Sequence, residues 1–269
     1  MLAGVALLTV CFGRSAVMHF YEPKFLRTGP DGPETPGNLG LAYERVRIPS
    51  GRRQLDAYLV NAEAGCQPRV ALLIFHGVGE TISEWVEAQR FLHDHCVSSI
   101  VFDYSGYGDS SKPGTIANAD EDAVSAYSYF ASRFGASARL NVLGHSLGNG
   151  PMLEEAPLFR PVPAGVVVAN GFSSLREMRT SRLTYVLPGV WDNVENVSRV
   201  RVPVLVVHSD ADQVIPPSMG DRVFQAASDP KQEVVLHGFG HDALFRAPSE
   251  EWWAPVLAFL RVGTKPATS

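Results

Sequence analysis

Residues 140–148, Leu-Asn-Val-Leu-Gly-His-Ser-Leu-Gly, constrain this chain more than any other stretch. A short apolar run ends in Gly144-His145-Ser146-Leu147-Gly148, and a helical pattern begins directly behind it. A buried strand that turns so abruptly into a helix must bend sharply at its middle residue, Ser146. The positions two before and two after the serine then have no room for bulk, and both are glycine. The helix N-terminus is left aimed at whatever lies beside the serine hydroxyl, with free backbone N–H groups suited to negative charge. The plainer alternative is a glycine-rich turn whose serine caps the helix.

The rest of the chain fits around that strand. Residues 43–48 and 55–60 alternate polar and apolar on either side of a turn at Ser50-Gly51, as an antiparallel hairpin at a sheet edge does. From residue 70 the strands become continuous apolar runs, at 70–75, 99–102, 140–143, 165–169 and 202–207, the mark of strands buried on both faces. A last short strand is expected at 233–236. Helical patterns separate them at 83–95, 120–134 and 217–227, with a closing amphipathic helix at 250–261. Strands alternating with helices imply right-handed crossovers, hence an α/β fold with a mainly parallel eight-stranded sheet and helices on both faces. The rhythm breaks only at 173–201, read as a small cap over the strand ends. Residues 1–40 are read as an apolar segment followed by a Pro/Gly-rich connector, and 41–269 as one domain.

Composition narrows the partners. The 269 residues carry a net charge of -5, and Lys and Arg are scattered rather than gathered in a basic stripe, so nucleic acid is not expected. Cys11, Cys66 and Cys96 are too few and too dispersed for a disulfide framework or a zinc site, and are read as reduced. Residues 1–12 form an uncharged apolar stretch, shorter than the roughly 20 residues that span a bilayer. It reads as a buried helix, a membrane-surface contact or part of a longer anchor, leaving the location open between cytoplasm and membrane.

Five motifs, in order, resemble the α/β-hydrolase superfamily from about residue 43 to the C-terminus. They are His76-Gly77-Val78-Gly79, Gly106-Tyr107-Gly108-Asp109-Ser110, Gly144 to Gly148, Asp210-Ala211-Asp212-Gln213-Val214-Ile215-Pro216, and Gly238-Phe239-Gly240-His241. The chain order serine, aspartate, histidine is the one this fold uses. The apolar N-terminus, His19-Phe20-Tyr21-Glu22-Pro23 and the short cap are similar to the membrane-associated branch, which includes acyl-protein thioesterases.

A serine hydroxyl is a weak nucleophile and needs a base near its working pKa, usually histidine, steadied by a buried carboxylate. His241, directly after the last strand, is the candidate base, with His237 as competitor. Asp210 and Asp212 compete as the acid, and the family pattern, an acid just before a hydrophobic–Pro step, favours Asp212. The resemblance implies an oxyanion hole from the Val78 and Leu147 amides. His76, His145, His208 and Asp103 are read as structural. Tyr104, Tyr107, Met152, Phe172, Tyr185, Leu187 and Trp191 are candidates for an apolar pocket, Tyr104, Phe172 and Trp191 foremost. The activity so implied is serine-dependent cleavage of carboxylic esters or thioesters through an acyl-enzyme, without metal or organic cofactor. The expected substrates are small-molecule or lipid esters or an acylated protein. Serine peptidases of the prolyl-oligopeptidase type share this grammar, and a non-catalytic binding protein on the same fold would lack a triad member.

Overall fold

The structure, a computed structural model, describes residues 32–67, 69–178 and 191–262. In chain order its regular elements are β1 (Tyr43–Ser50), β2 (Arg53–Val60), β3 (Val70–Phe75), α1 (Val86–Asp94), β4 (Val97–Phe102), α2 (Ile116–Phe134) and β5 (Arg139–His145). They continue with α3 (Asn149–Glu155), β6 (Gly165–Ala169), α4 (Asn193–Ser198), β7 (Val204–Ser209), α5 (Pro217–Ala226), β8 (Lys231–Leu236), α6 (Ala243–Arg246) and α7 (Glu250–Val262).

The eight strands form one open sheet in the order β1-β2-β4-β3-β5-β6-β7-β8. Only β2 runs against its neighbours, because the hairpin turn at Gly51 (φ +55) folds it back on β1 along all eight residues. Each strand from β3 to β7 is wholly buried or nearly so. Its side chains alternate between two cores. Leu73, Phe75 and Val142 join Tyr127 and Phe130 of α2 on one face, whereas Leu72, Ile74 and Leu143 join Trp252, Trp253 and Leu257 of α7 on the other. The helices therefore cover both faces, as the alternating pattern requires.

Strand order decides where a site can form. From β3 the chain crosses to β4 on one side, then returns to place β5 on the other side of β3. The connections after β3 and β5 leave in opposite directions and open a crevice at their carboxyl ends, where open α/β sheets bind ligands. The loop starting at His76 and the turn starting at Ser146 both lie there.

Of the boundaries that differ from the sequence reading, two do so for a plain physical reason. Helix α2 starts four residues before Asp120, because Thr115 caps it by accepting the Asn118 N–H (3.1 Å). Strand β8 starts at Lys231, since an edge strand tolerates the polar residues that hide it in the sequence. Residues 1–12, Cys11 and residues 179–190 of the expected cap, including Tyr185 and Leu187, lie outside the described residues. Among the described residues no helix is long and apolar enough to cross a membrane.

The cysteine reading is corrected outright: Cys66 and Cys96 form a disulfide. It ties the β2–β3 loop to the turn between α1 and β4, where Cys96 takes a left-handed φ of 64°. The two cysteines are 30 residues apart, a separation that carries no pairing signal; the meeting is made by the sheet, which sets β3 beside β4 from Val70↔Val97 onward. Closing a loop of that length removes unfolded-state entropy worth about 3.5 kcal/mol. Cys66→Ser is expected to lower unfolding free energy by that order, read from urea midpoints without reductant.

Candidate active site

The turn after β5 is built by exclusion of side chains. Ser146 adopts φ 51°, the left-handed region that residues with a Cβ seldom occupy. A Cβ on Gly144 would sit 2.7–2.9 Å from Asn149, and one on Gly148 would sit 2.0 Å from the Phe75 carbonyl oxygen. The Asn149 side chain locks the bend by donating to the Ser146 and Ala169 carbonyls, both at 3.1 Å. Ser146 is thereby held at the carboxyl end of a central strand with Leu147 and Gly148 in a single 3-10 turn before α3.

The loop after β3 lies against it. A Cβ on Gly77 would lie 2.1 Å from Glu80 Oε1 and 3.1 Å from Ser146 Cβ, so a side chain at residue 77 would crowd both. His76 braces this loop, its Nδ1 on the Gly77 carbonyl (2.8 Å) and its Nε2 3.3 Å from Asp103. Burial favours the neutral ring, but Asp103 and Glu80 outweigh it and raise the His76 pKa. Asp103 also accepts the Ile82 N–H (3.0 Å). Val78 is 39% exposed at the loop's crest.

Both histidine–aspartate candidates exist as pairs, in different settings. Asp212 Oδ2 accepts from His241 Nδ1 at 2.7 Å, while Oδ1 takes the Val214 and Ile215 N–H groups at 2.8 and 2.9 Å. Burial alone would push Asp212 up; hydrogen bonds from His208, His241 and the Ile215 amide overcome it and hold the carboxyl far below the usual range. Asp210 pairs with His237, also at 2.7 Å, but on the surface, where His237 is 80% exposed. The buried pair and the surface pair lie one turn apart, which is why spacing alone leaves both open.

The His241 backbone is pinned as well. Its carbonyl accepts from Asn170 Nδ2 (2.8 Å) and from His145 Nε2 (3.1 Å). Asn170, at the end of β6, has φ 44°; a second left-handed residue beside Ser146 is the kind of backbone strain that gathers at functional sites. Neither Asn170 nor Glu80 was distinguishable from the sequence. Glu80 is buried, with Oε2 accepting the Gly77 N–H (2.8 Å) and Trp85 Nε1–H (2.9 Å), and Oε1 facing His145 Nδ1 (2.9 Å).

The three foremost pocket candidates are all at most 2% exposed. Tyr104 packs edge-on to His76 and Tyr107, its hydroxyl toward the His76 carbonyl. Phe172 belongs to the core that carries α2 and α3. Trp191 packs its ring at Gly150 and donates to Asp120 (2.8 Å). Burial pushes the Asp120 carboxyl up to about 7, against that indole hydrogen bond.

His145, His241 and Asp242 bring donor atoms within 4.8 Å of one another. Both His145 nitrogens and His241 Nδ1 already have partners, and Asp242 pairs with Arg246 at 3.1 Å.

These buried carboxylates set an acid limit. Burial would raise Glu80, but the His145 charge and hydrogen bond, with His76 and the Gly77 amide, lower it from 4.5 to about 2. Its contribution to stability is present above pH 4.5 and is lost as the pH falls toward 2. Thermal midpoints are expected to drop over that window in the native protein and to vary less in Glu80→Gln.

An alpha/beta hydrolase fold family model matches residues 70–177. An uncharacterised Mycobacterium tuberculosis protein is 29% identical over 203 residues, 73% of this chain and 71% of that one. Human alpha/beta hydrolase domain-containing protein 17B is 26% identical over 186 residues, 66% of this chain and 62% of that one. Among solved structures, the Pyrococcus furiosus esterase Pf2001 matches with a TM-score of 0.69 at 15% identity, over 87% of this chain and 98% of that chain; identity so low speaks to fold alone. With its sheet order, its two-sided helical cover and these matches together, the chain has the α/β-hydrolase fold and is similar in sequence to members of that superfamily.

Proposed function

We propose that the chain is a serine hydrolase that cleaves carboxylic ester or thioester bonds through an acyl-enzyme on Ser146. The observation that carries this reading is the buried His241–Asp212 hydrogen bond, in a loop tied to the residue beside Ser146. Asp212 fixes the proton on His241 Nδ1, which leaves Nε2 as the base. Nε2 takes the Ser146 proton as Oγ attacks the carbonyl carbon. The Val78 and Leu147 N–H groups hold the resulting oxyanion, each worth about 2.7–4 kcal/mol in the transition state. His241 then gives its proton to the leaving alcohol or thiol as the C–O or C–S bond breaks. Water, deprotonated by the same histidine, releases the acid and restores Ser146.

Exposed Val78 (39%) and Val214 (55%), one on the loop after β3 and one two residues past Asp212, favour an apolar acyl or alcohol group. Small esters, lipid esters and acylated proteins all offer one. The test is turnover of p-nitrophenyl acyl esters of graded chain length by the protein and by Ser146→Ala, with fluorophosphonate labelling of Ser146. Absence of both turnover and labelling in the native protein would sink the reading.

A further inference from the structure

His145 lies beside the reacting serine in sequence but takes no part in the proposed chemistry, and its surroundings are unusual for a packing residue. Its side chain has no solvent exposure. Both ring nitrogens nevertheless face acceptors: Nδ1 meets Glu80 Oε1 at 2.9 Å and Nε2 meets the His241 carbonyl at 3.1 Å. A neutral imidazole has one N–H and can satisfy only one of these; an imidazolium satisfies both. Buried charge needs a partner, and the Glu80 carboxylate is that partner.

Glu80 has a second set of ties. Its other oxygen accepts the Gly77 N–H (2.8 Å) and the Trp85 indole N–H (2.9 Å). The residue that follows Gly77 is Val78. One unbroken set of hydrogen bonds therefore runs from the loop after β3, through Glu80 and His145, to the main chain of His241. The three loops that carry the oxyanion amide, the serine and the base come from strands far apart in sequence, and this pair is where they meet.

We propose that Glu80 and His145 are positioning residues, a buried ion pair that fixes the Val78 amide and the His241 backbone relative to Ser146. This rests on the serine-hydrolase reading above. The pair touches no substrate; it acts by holding donors and base at transition-state spacing, and misplacement by about 1 Å costs roughly 10²-fold. The groups facing His145 are Glu80, the Asp242 carboxylate, the His241 ring at 4.8 Å, and the rings of Trp85 and Phe245. His76 and His145 face Glu80. Burial opposes the charge on His145, but Glu80 and Asp242 outweigh it, so the proton is held above the ordinary histidine range. Deprotonation at alkaline pH breaks one of the two bonds.

The experiment is Glu80→Gln, with kcat expressed per fluorophosphonate-titrated site. The expected result is a kcat 10- to 100-fold lower with KM within threefold, and an alkaline limb of kcat/KM moved to lower pH, while Glu80→Asp, which keeps the charge, recovers most of kcat. A merely structural role would reduce the titrated fraction and the melting temperature but leave per-site kcat and the pH profile unchanged; that result overturns the proposal. Should Glu80→Gln fail to fold, 15N spectra of histidine-labelled native protein decide the matter. Both His145 nitrogens should still be protonated at a pH where a free imidazole has lost its proton, assigned by loss of the signals in His145→Gln, and a His145 ring that is neutral there overturns the proposal. A native protein that neither labels nor turns over esters removes the parent reading and this one with it. A native protein that does both, with Glu80→Gln unchanged per site, removes this one alone.

Discussion

Ser146→Ala is expected to lower ester turnover by roughly 10⁴-fold or more while leaving the protein folded. The substitution keeps the Cβ, so the left-handed backbone at φ 51° and the bend locked by Asn149 are undisturbed. On the proposed mechanism, what is lost is the oxygen that forms the acyl-enzyme. His241 could still deprotonate a water, and the Val78 and Leu147 amides could still hold an oxyanion, so a residue of catalysis above the uncatalysed rate should survive. Steady-state kinetics with p-nitrophenyl esters check this, with circular dichroism to verify the fold. Retention of more than a few per cent of native turnover would mean that Ser146 is not the nucleophile. The chain-length optimum in the native protein then gives the size of acyl group that the site accepts.

Gly148→Ala should give the largest loss of stability of any conservative change near the site. Its Cβ would lie 2.0 Å from the Phe75 oxygen, 2.5 Å from the Phe75 carbon and 2.8 Å from the His76 oxygen. All three are backbone atoms at the end of β3, where the sheet is buried on both faces, so no side chain can swing aside. Relief requires moving the start of α3 away from β3, which would break close packing in the core that Phe75 shares with Phe102 and Phe159. A loss above about 4 kcal/mol is expected, enough to unfold a domain of ordinary stability. Gly40→Ala is the control: it also has a positive φ (+76), but no heavy atom lies within 4 Å, so only the backbone cost of about 1–2 kcal/mol applies. Urea unfolding of the two variants separates a steric clash from conformational strain.

The sheet was legible because strands buried on both faces leave an unmistakable apolar run, and β3, β6 and the hairpin appear where such runs and alternations fall. What local pattern could not carry is pairing across long separations. Glu80 and His145 are 65 residues apart, and nothing near either one announces the other. Cys66 and Cys96 show the same blindness, there to the point of a wrong reading. Asp210 and Asp212 show another limit. Both pair with a histidine at 2.7 Å, and only burial distinguishes the two pairs. Burial belongs to the folded chain, so the choice between them needed either the fold or the family pattern.

The Cys66–Cys96 bond also makes the chain's robustness depend on its redox surroundings. Glutathione and thioredoxin keep such thiols reduced in an ordinary cytosol, whereas exported and extracellular proteins keep them joined. A chain that owes about 3.5 kcal/mol to this closure is two proteins of different robustness, depending on which side of a membrane it matures. Made in a reducing host it would be 2 Da heavier per molecule and measurably softer, with its active-site geometry intact, because the bond lies at the opposite end of β3 from Ser146. Handling of the protein should therefore follow its thiols as closely as its activity.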